Sequence, residues 1–450
     1  LLPESFAVDH PAGEPVKVIA TDNAEFWLQG SAIFPEQPKG FTQLQLNTSE
    51  QTKGPEAGVL SALWVDLYRQ QQTTLLTEAS IAGMNASVSP SFGIQMTFSG
   101  FTDKQPELIK RSLEALRIEP SEEEFIQAVD RFTRGLENSR FGFPVRQLFP
   151  AIRRLTQTGA FNQEDLLQAA NAATLEALSG HIEQQLSTAY VRGYRFGNYS
   201  EEDVQSLADL IARVLPNRSG DTYTRAATYA PQPGSTLVYQ ENLPVEDLGM
   251  AYLFAAPKAS IENVAKGELL AAHLSNRAFN QLRTEEQLGY AAGGFATQLG
   301  DHPMVGFYIQ TPVKAPVAML ERFDDYRAEF ASDLEALEQA EFESIKAGVL
   351  TDLTQPPKNL GEEAGPFLID WNRERYNFDT RTRLIAAVEQ VTLDAVRDYY
   401  AETVMTEAAS RVLVQLKGTA FADEPFAEIE GAQIVEDVST FHQSMPVQPR

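Results

Sequence analysis

The stretch FNQLRTEEQLGY, residues 279–290, joins a helical periodicity to a strand-like one. Upstream, Leu270, His273, Leu274 and Phe279 lie on a helix that the apolar spacing carries from about Ile261 to Gln287. Downstream, Tyr290 enters a hairpin whose turn is Leu299-Gly-Asp-His-Pro303. Gly289 suits a left-handed C-terminal cap, because glycine takes positive φ at no steric cost. Arg283 and Tyr290 stand seven apart, nearly two helical turns, which would turn a guanidinium and a phenol towards one side. On residue types alone, a surface arginine and an amphipathic strand tyrosine account for the same pattern.

The rest of the second half alternates strands and helices. Strands are expected near Thr236–Tyr239, Met250–Ala255 and Arg411–Leu416, and helices at Pro316–Leu334, Glu338–Leu353 and Thr392–Thr403. The first half follows the same order. Strand-like pieces cover Val16–Ile19, Phe26–Phe34 and the alternation around Leu44 and Leu46. Val59, Leu60, Leu63, Trp64, Leu67 and Tyr68 then form a helical stripe after Pro55. Phe92–Phe98 reads as a strand, Pro106–Leu116 as a helix, and Ser121 with Glu124 as a capping box ahead of Phe125, Val129 and Phe132.

Phe125 and Phe342 open comparable helices, and Thr174-Leu-Glu-Ala177 is echoed by Thr392-Leu-Asp-Ala395. A shared offset across several elements points to two mixed α/β modules of about 210–220 residues. The segment 215–235, with Pro216-Asn217, Ser219-Gly220 and Pro231-Gln-Pro-Gly234, has linker composition, so the division is set at residues 1–220 and 221–450.

Of the chain's 450 residues, 62 are acidic and 36 basic, a formal charge of −26 that would repel a nucleic-acid backbone. Zero cysteine removes disulfides, thiolate metal sites and cysteine nucleophiles. No apolar run approaches the ~18 residues of a membrane span. The Leu-Leu-Pro-Glu-Ser-Phe opening, lacking an initiator Met or a signal-like segment, reads as a processed or cut end.

Five histidines, His10, His181, His273, His302 and His442, form no paired zinc motif of the HExxH or HxxEH kind. His273 reads as a locally bonded, partly buried residue and His302 as a solvated turn residue. No GxSxG elbow, Walker loop or GxGxxG turn occurs. The acidic groups Glu122-Glu-Glu124, Asp324-Asp325 and Glu362-Glu363 read as solvated helix faces, the first also favouring a helix N-terminus.

RTEEQLGY at 283–290, preceded by FNQL, closely resembles the C-terminal half of the insulinase/pitrilysin family of inverzincin peptidases. FTDKQPEL at 101–108, PPKNL at 356–360 with Glu362-Glu-Ala-Gly365, and YNFD at 376–379 resemble family segments in the same order. The resemblance implies an α+β fold of two tandem homologous domains, each a mostly antiparallel sheet packed with helices, as the third and fourth of four domains whose halves close around a peptide. It places the zinc ligands and general base in an HxxEH-bearing N-terminal half outside this chain, so no metal is expected here. The element that carries HxxEH in an active domain reads Ser61-Ala-Leu-Trp-Val-Asp-Leu-Tyr-Arg69. By the same resemblance, Arg283 and Tyr290 contact the substrate backbone and Phe279 lines a side-chain pocket.

The function implied is the substrate-enclosing half of a zinc metalloendopeptidase, inactive alone. The alternative is a naturally separate inactive subunit pairing with an HxxEH-bearing partner. The expected partners are peptide substrates and that catalytic half. The expected location is the periplasm, with the cytoplasm as alternative.

Overall fold

The computed structural model describes residues 13–50, 53–220 and 222–448; the opening segment, with His10, lies outside the described residues. The first half begins with β1 (Val16–Thr21), β2 (Ala24–Gln29) and β3 (Lys39–Asn47), then α1 (Pro55–Gln71) and α2 (Thr73–Ile81). A hairpin of β4 (Asn85–Ser91) and β5 (Gly93–Phe101) leads to α3 (Gln105–Glu114), α4 (Glu122–Ser139) and α5 (Pro144–Thr156). The half closes with α6 (Gln163–Ala172), α7 (Leu175–Thr188), β6 (Tyr190–Gly197) and α8 (Glu201–Val214).

The second half starts with β7 (Thr236–Asn242), β8 (Leu248–Ala255) and α9 (Ile261–Ala278), then the hairpin β9 (Ala291–Leu299) and β10 (His302–Thr311). Five helices follow: α10 (Pro316–Ala336), α11 (Gln339–Thr354), α12 (Leu360–Asn372), α13 (Thr380–Gln390) and α14 (Leu393–Tyr400). β11 (Ser410–Lys417), β12 (Gln433–Ile434) and α15 (Val438–Ser444) complete it.

The two six-stranded sheets run β1-β2-β6-β3-β5-β4 and β12-β7-β11-β8-β10-β9, the same path over five strands, with the first strand of the chain at the edge of one and its last strand at the edge of the other. In each, one interior pairing is parallel, β2 with β6 and β7 with β11, and the strands from there to β4 and to β9 pair antiparallel, while the outer strand differs: β1 is antiparallel to β2 and β12 parallel to β7. The fold is therefore α+β and duplicated. The sequence echoes have structural counterparts: Thr174 accepts from the Ala177 N–H at 3.1 Å, and Thr392 from the Ala395 N–H at 3.2 Å. Ser121 and Glu124 form the expected capping box, with the Ser121 N–H donating to Glu124 at 2.7 Å.

Contacts divide the chain into two compact units. One takes the residues up to Leu136, Phe161–Ala226 and Pro356–Thr380; the other takes Glu137–Ala160, Ala227–Gln355 and Arg381 onward. The division at 220/221 drawn from linker composition does not anticipate this exchange of segments. Its physical reason is that a central sheet has two apolar faces and both must be covered.

In the first unit, α1 buries Val59, Leu63, Trp64 and Leu67 with Leu178, Ile182 and Leu186 of α7 in the main core. A separate core gathers Trp27, Tyr194 and Phe196 of the sheet with Ala364 and Trp371 of α12, a helix from the other half of the sequence. In the second unit, α9, α10 and α14 share one core. Leu148, Ala151, Ile152 and Leu155 of α5 pack with Leu253 and Val414 in another. Each buried leucine of α5 is worth about 2–5 kcal/mol against alanine.

Three local expectations are corrected. The strand read as Phe26–Phe34 ends at Gln29. Glu363 is not on a solvated face: it is buried, accepting from the Ser31 hydroxyl at 2.6 Å and from the Ala32 and Ile33 N–H groups at 2.7 and 3.1 Å. The carboxylate thus satisfies a turn 330 residues away in sequence, which helical spacing could not reveal. His302 is half-buried at the start of β10, with Nε2 2.7 Å from the Ala256 carbonyl.

His181 on α7 is also buried, with Nε2 2.9 Å from the Ser61 hydroxyl of α1, and burial lowers its pKa to about 4. Between that value and the ordinary ~6.5, the unfolded chain binds a proton that the folded chain refuses, so stability falls as pH falls through this window. Urea unfolding should show a loss of about 2 kcal/mol between pH 7 and pH 5 from this residue. His181→Gln, which keeps a hydrogen-bonding partner for Ser61, should lack that component; an equally steep pH dependence in the variant would remove the assignment.

Candidate functional site

α9 begins at Ser260, whose side chain accepts from the Asn263 N–H, and runs regularly to Ala278. From Phe279 to Glu285 the helix widens into a π-helical segment. Such wide turns are uncommon and occur frequently at functional sites. Here the segment brings Arg283 over Phe279, with the guanidinium carbon 4.6 Å from the ring centroid, a cation–π contact.

The turn that follows is built differently from the sequence expectation. Gln287 takes the left-handed conformation, φ 53°, rather than Gly289. The Glu286 and Leu288 N–H groups donate to the Gln281 and Leu282 carbonyls, both at 2.9 Å, and Leu288 is buried. Gly289 is required for another reason: a Cβ there would stand 1.8 Å from the Gln310 carbonyl oxygen of β10. Glycine lets the chain press against β10 before β9 begins.

Tyr290 consequently lies beyond the helix, and its nearness to Arg283 owes nothing to helical phase. Arg283 Nε donates to the Tyr290 carbonyl oxygen at 3.1 Å. Among the described residues no carboxylate lies within ion-pair distance of Arg283, so both Nη groups remain available to a ligand. Tyr290 is 73% exposed and Phe279 42% exposed. The structure therefore brings all three expected residues together on one accessible turn.

Arg322 of α10 clamps this turn and was not apparent in the sequence. Its Nε and Nη2 reach the two carboxylate oxygens of Glu286 at 2.8 and 2.6 Å, a bidentate pair, and Nη2 also lies 2.9 Å from Glu329. The Arg322 hydrogen bond holds Glu286 below the usual carboxylate range, and Glu286 in turn pushes Arg322 up. Arg322→Lys cannot reproduce the two-pronged contact. Hydrogen exchange at the Glu286 and Leu288 amides should accelerate about tenfold, the lower end of a charge-assisted bond's contribution; unchanged exchange would deny the clamp.

α1 offers no zinc donor set. Ser61 bonds His181, the Trp64 indole N–H donates to the Leu116 carbonyl at 2.8 Å, Val65 is buried, and Asp66 pairs with Arg131 at 2.7 Å. Among the described residues no group of three or more His, Cys, Asp or Glu side chains is placed to hold a metal ion. No described helix is long and apolar enough to cross a membrane.

A family model described as the middle or third domain of peptidase M16 matches residues 1–169. Another, described as PQQ synthase PqqF-like, C-terminal lobe domain 4, matches residues 269–368, which contain Phe279, Arg283 and Tyr290. Protease 3 of Escherichia coli (strain K12) is 24% identical over 452 residues, covering 99% of this chain and 47% of that protein. The chain is homologous to the insulinase/pitrilysin peptidases.

Other pitrilysin-type relatives extend the match. Insulin-degrading enzyme of Homo sapiens is 22% identical over 361 residues, 78% of this chain and 35% of that protein. The crystal structure of pitrilysin superposes with a TM-score of 0.92 at 24% identity, over 99% of this chain and 48% of that one. A peptidase M16 inactive domain from Pseudomonas fluorescens gives a TM-score of 0.64 at 13% identity, over 92% of this chain and 100% of that one. The chain thus spans under half the length of the pitrilysin-type proteases named above, and the full extent of the inactive domain.

Proposed function

We propose that this chain is the substrate-enclosing half of a pitrilysin-like zinc metalloendopeptidase, one that holds a peptide while an HxxEH-bearing N-terminal half carries the zinc and the general base. The observation that carries the reading is the exposed Phe279–Arg283–Tyr290 turn, with a guanidinium fixed through Nε and free at both Nη groups. Phe279 supplies an apolar wall for a substrate side chain. The Arg283 Nη groups and the Tyr290 hydroxyl donate hydrogen bonds to substrate carbonyl oxygens, and a donor already positioned where negative charge grows lowers the barrier.

Alone the chain is proposed to be inactive, since α1 lacks the donors zinc requires. The second reading is a naturally separate, inactive peptide-binding subunit that pairs with an HxxEH-bearing partner; the full coverage of the Pseudomonas fluorescens inactive domain favours it. A periplasmic location belongs to the proposal, with the cytoplasm as alternative, and fractionation of cells expressing the whole reading frame tests it.

The deciding experiment is cleavage of a quenched fluorescent peptide library by this chain, alone and mixed with an HxxEH-bearing half, each with and without a zinc chelator. Cleavage only by the mixture, abolished by the chelator, is the expected result. Chelator-resistant cleavage by the chain alone would overturn the proposal.

A further inference from the structure

Arg277, Gln281 and Glu285 follow one another at four-residue spacing along α9 and its π-helical extension. Facing them, Tyr326, Glu329, Phe330 and Asp333 succeed one another along α10. These residues, with Asn280, line a polar cleft of about 170 Å³ that the substrate turn does not use. Asp333 lies 3.0 Å from His273 Nε2 and 3.1 Å from Arg277 Nη2. Glu329 accepts from Gln281 Nε2 at 2.6 Å and pairs with Arg322 at 2.9 Å.

Two groups in the cleft are unanswered. Among the described residues Glu285 has no hydrogen-bond or ion-pair partner. The Tyr326 hydroxyl is buried without a hydrogen bond, on a residue only 1% exposed and within electrostatic reach of Asp333, Arg322, Arg277 and Glu329. A buried hydroxyl left without a partner is costly, so the site favours a ligand that bonds it. Arg322 answers Glu329 and Arg277 answers Asp333, which leaves the Glu285 carboxylate as the uncompensated charge of the cleft, and that charge selects a cation. The absence of a metal-holding group among the described residues makes an N–H-bearing organic cation the better match than a metal ion. The volume is below the ~300 Å³ of ordinary small-molecule pockets and suits one cationic group.

We propose that this cleft binds a guanidinium or primary ammonium group, with the Tyr326 hydroxyl and the Glu285 carboxylate as its receiving atoms. The group can belong to a free small cation or to a basic side chain of a peptide. The inference stands apart from the peptidase reading, because binding is measured on the whole chain without turnover.

The test is titration calorimetry of the chain with butylguanidinium and butylammonium, and with butylurea as the neutral isostere. Saturable one-to-one binding of at least one cation is expected at about millimolar or tighter, with no butylurea binding in the same range. Tyr326→Phe and Glu285→Gln should each weaken that binding about fivefold to tenfold. Glu285 is exposed, so its variant keeps the test valid even if the Tyr326 variant folds poorly. Binding that butylurea matches, no saturation by either cation up to about 50 mM, or an affinity indifferent to Glu285→Gln would overturn the proposal. Once cation binding is found, tighter binding of the tripeptide Gly-Arg-Gly than of butylguanidinium assigns the cleft to a peptide side chain; equal or weaker binding assigns it to a free cation.

Discussion

In the two-half peptidase proposed for this chain, Tyr290→Phe is expected to lower kcat by about 10²–10³, or roughly 2.7–4 kcal/mol of barrier, the magnitude associated with one oxyanion donor. The substitution removes a single hydroxyl and keeps the ring. Tyr290 is 73% exposed, so the fold should be indifferent to the change. The Arg283 contact should also persist, because Arg283 bonds the main-chain carbonyl of residue 290 and not its phenol. The expected signature is therefore a fall in kcat and kcat/KM together with little change in thermal stability, the pattern of an interaction made in the transition state. Steady-state kinetics on several peptides checks it. Equal kcat/KM for variant and parent across those peptides would remove Tyr290 from the chemistry.

The largest stability effect is expected at Arg192 in β6, which is fully buried. Its Nε donates to Glu25 at 2.6 Å, Nη2 donates to the Trp371 carbonyl at 2.9 Å, and the guanidinium lies between the rings of Tyr223 and Trp371 at 3.8 and 4.1 Å. Burial works to raise the Glu25 pKa, yet Arg192 and Lys17 outweigh it and hold the carboxyl below its usual range. Removing one member of a buried ion pair costs about 3–5 kcal/mol, because the remaining charge is stranded. Lys17, 3.1 Å from Glu25, places Arg192→Ala towards the lower end of that range. Urea denaturation followed by tryptophan fluorescence should report it, since Trp371 carries one of the lost contacts. Arg192→Leu combined with Glu25→Leu should recover part of the loss, because no carboxylate is then left buried. A double variant as unstable as the sum of its singles would contradict the ion-pair account.

Much of the fold was legible because its causes are local or periodic. The stripe from Val59 to Tyr68, the capping box at Ser121 and Glu124, and the hairpin turn at 299–303 each depend on residues within a few positions of one another. β4 was missed because Asn85–Ser91 is a polar strand at the edge of its sheet and has no apolar alternation to announce it. α12 was missed as a core helix for a related reason. Its buried residues, Glu363, Ala364, Asp370 and Trp371, include two acids, and the partners of Glu363 lie some 330 residues away.

The candidate site shows the same split. Phe279, Arg283 and Tyr290 were found through resemblance, while the geometric argument from an unbroken helix was wrong: the helix opens into a π-helical segment and ends at Glu285. Their proximity comes instead from the left-handed turn at Gln287 and from the close approach of Gly289 to Gln310. Arg322 and Glu286 are 36 residues apart and carried no pattern that would join them.

Composition and periodicity were enough to establish an acidic chain of mixed helices and strands built from a duplicated module, since charge, amphipathic spacing and caps are properties of short stretches. Only the tertiary structure decided that α5 and α12 cover sheets of the unit opposite to their own half of the sequence, that Glu363 caps a turn near Ser31, and that Arg283 is held by the Tyr290 main chain. Those outcomes depend on which apolar faces remain uncovered and which polar atoms lack partners after the helices and strands have formed, and that competition is resolved between residues hundreds of positions apart.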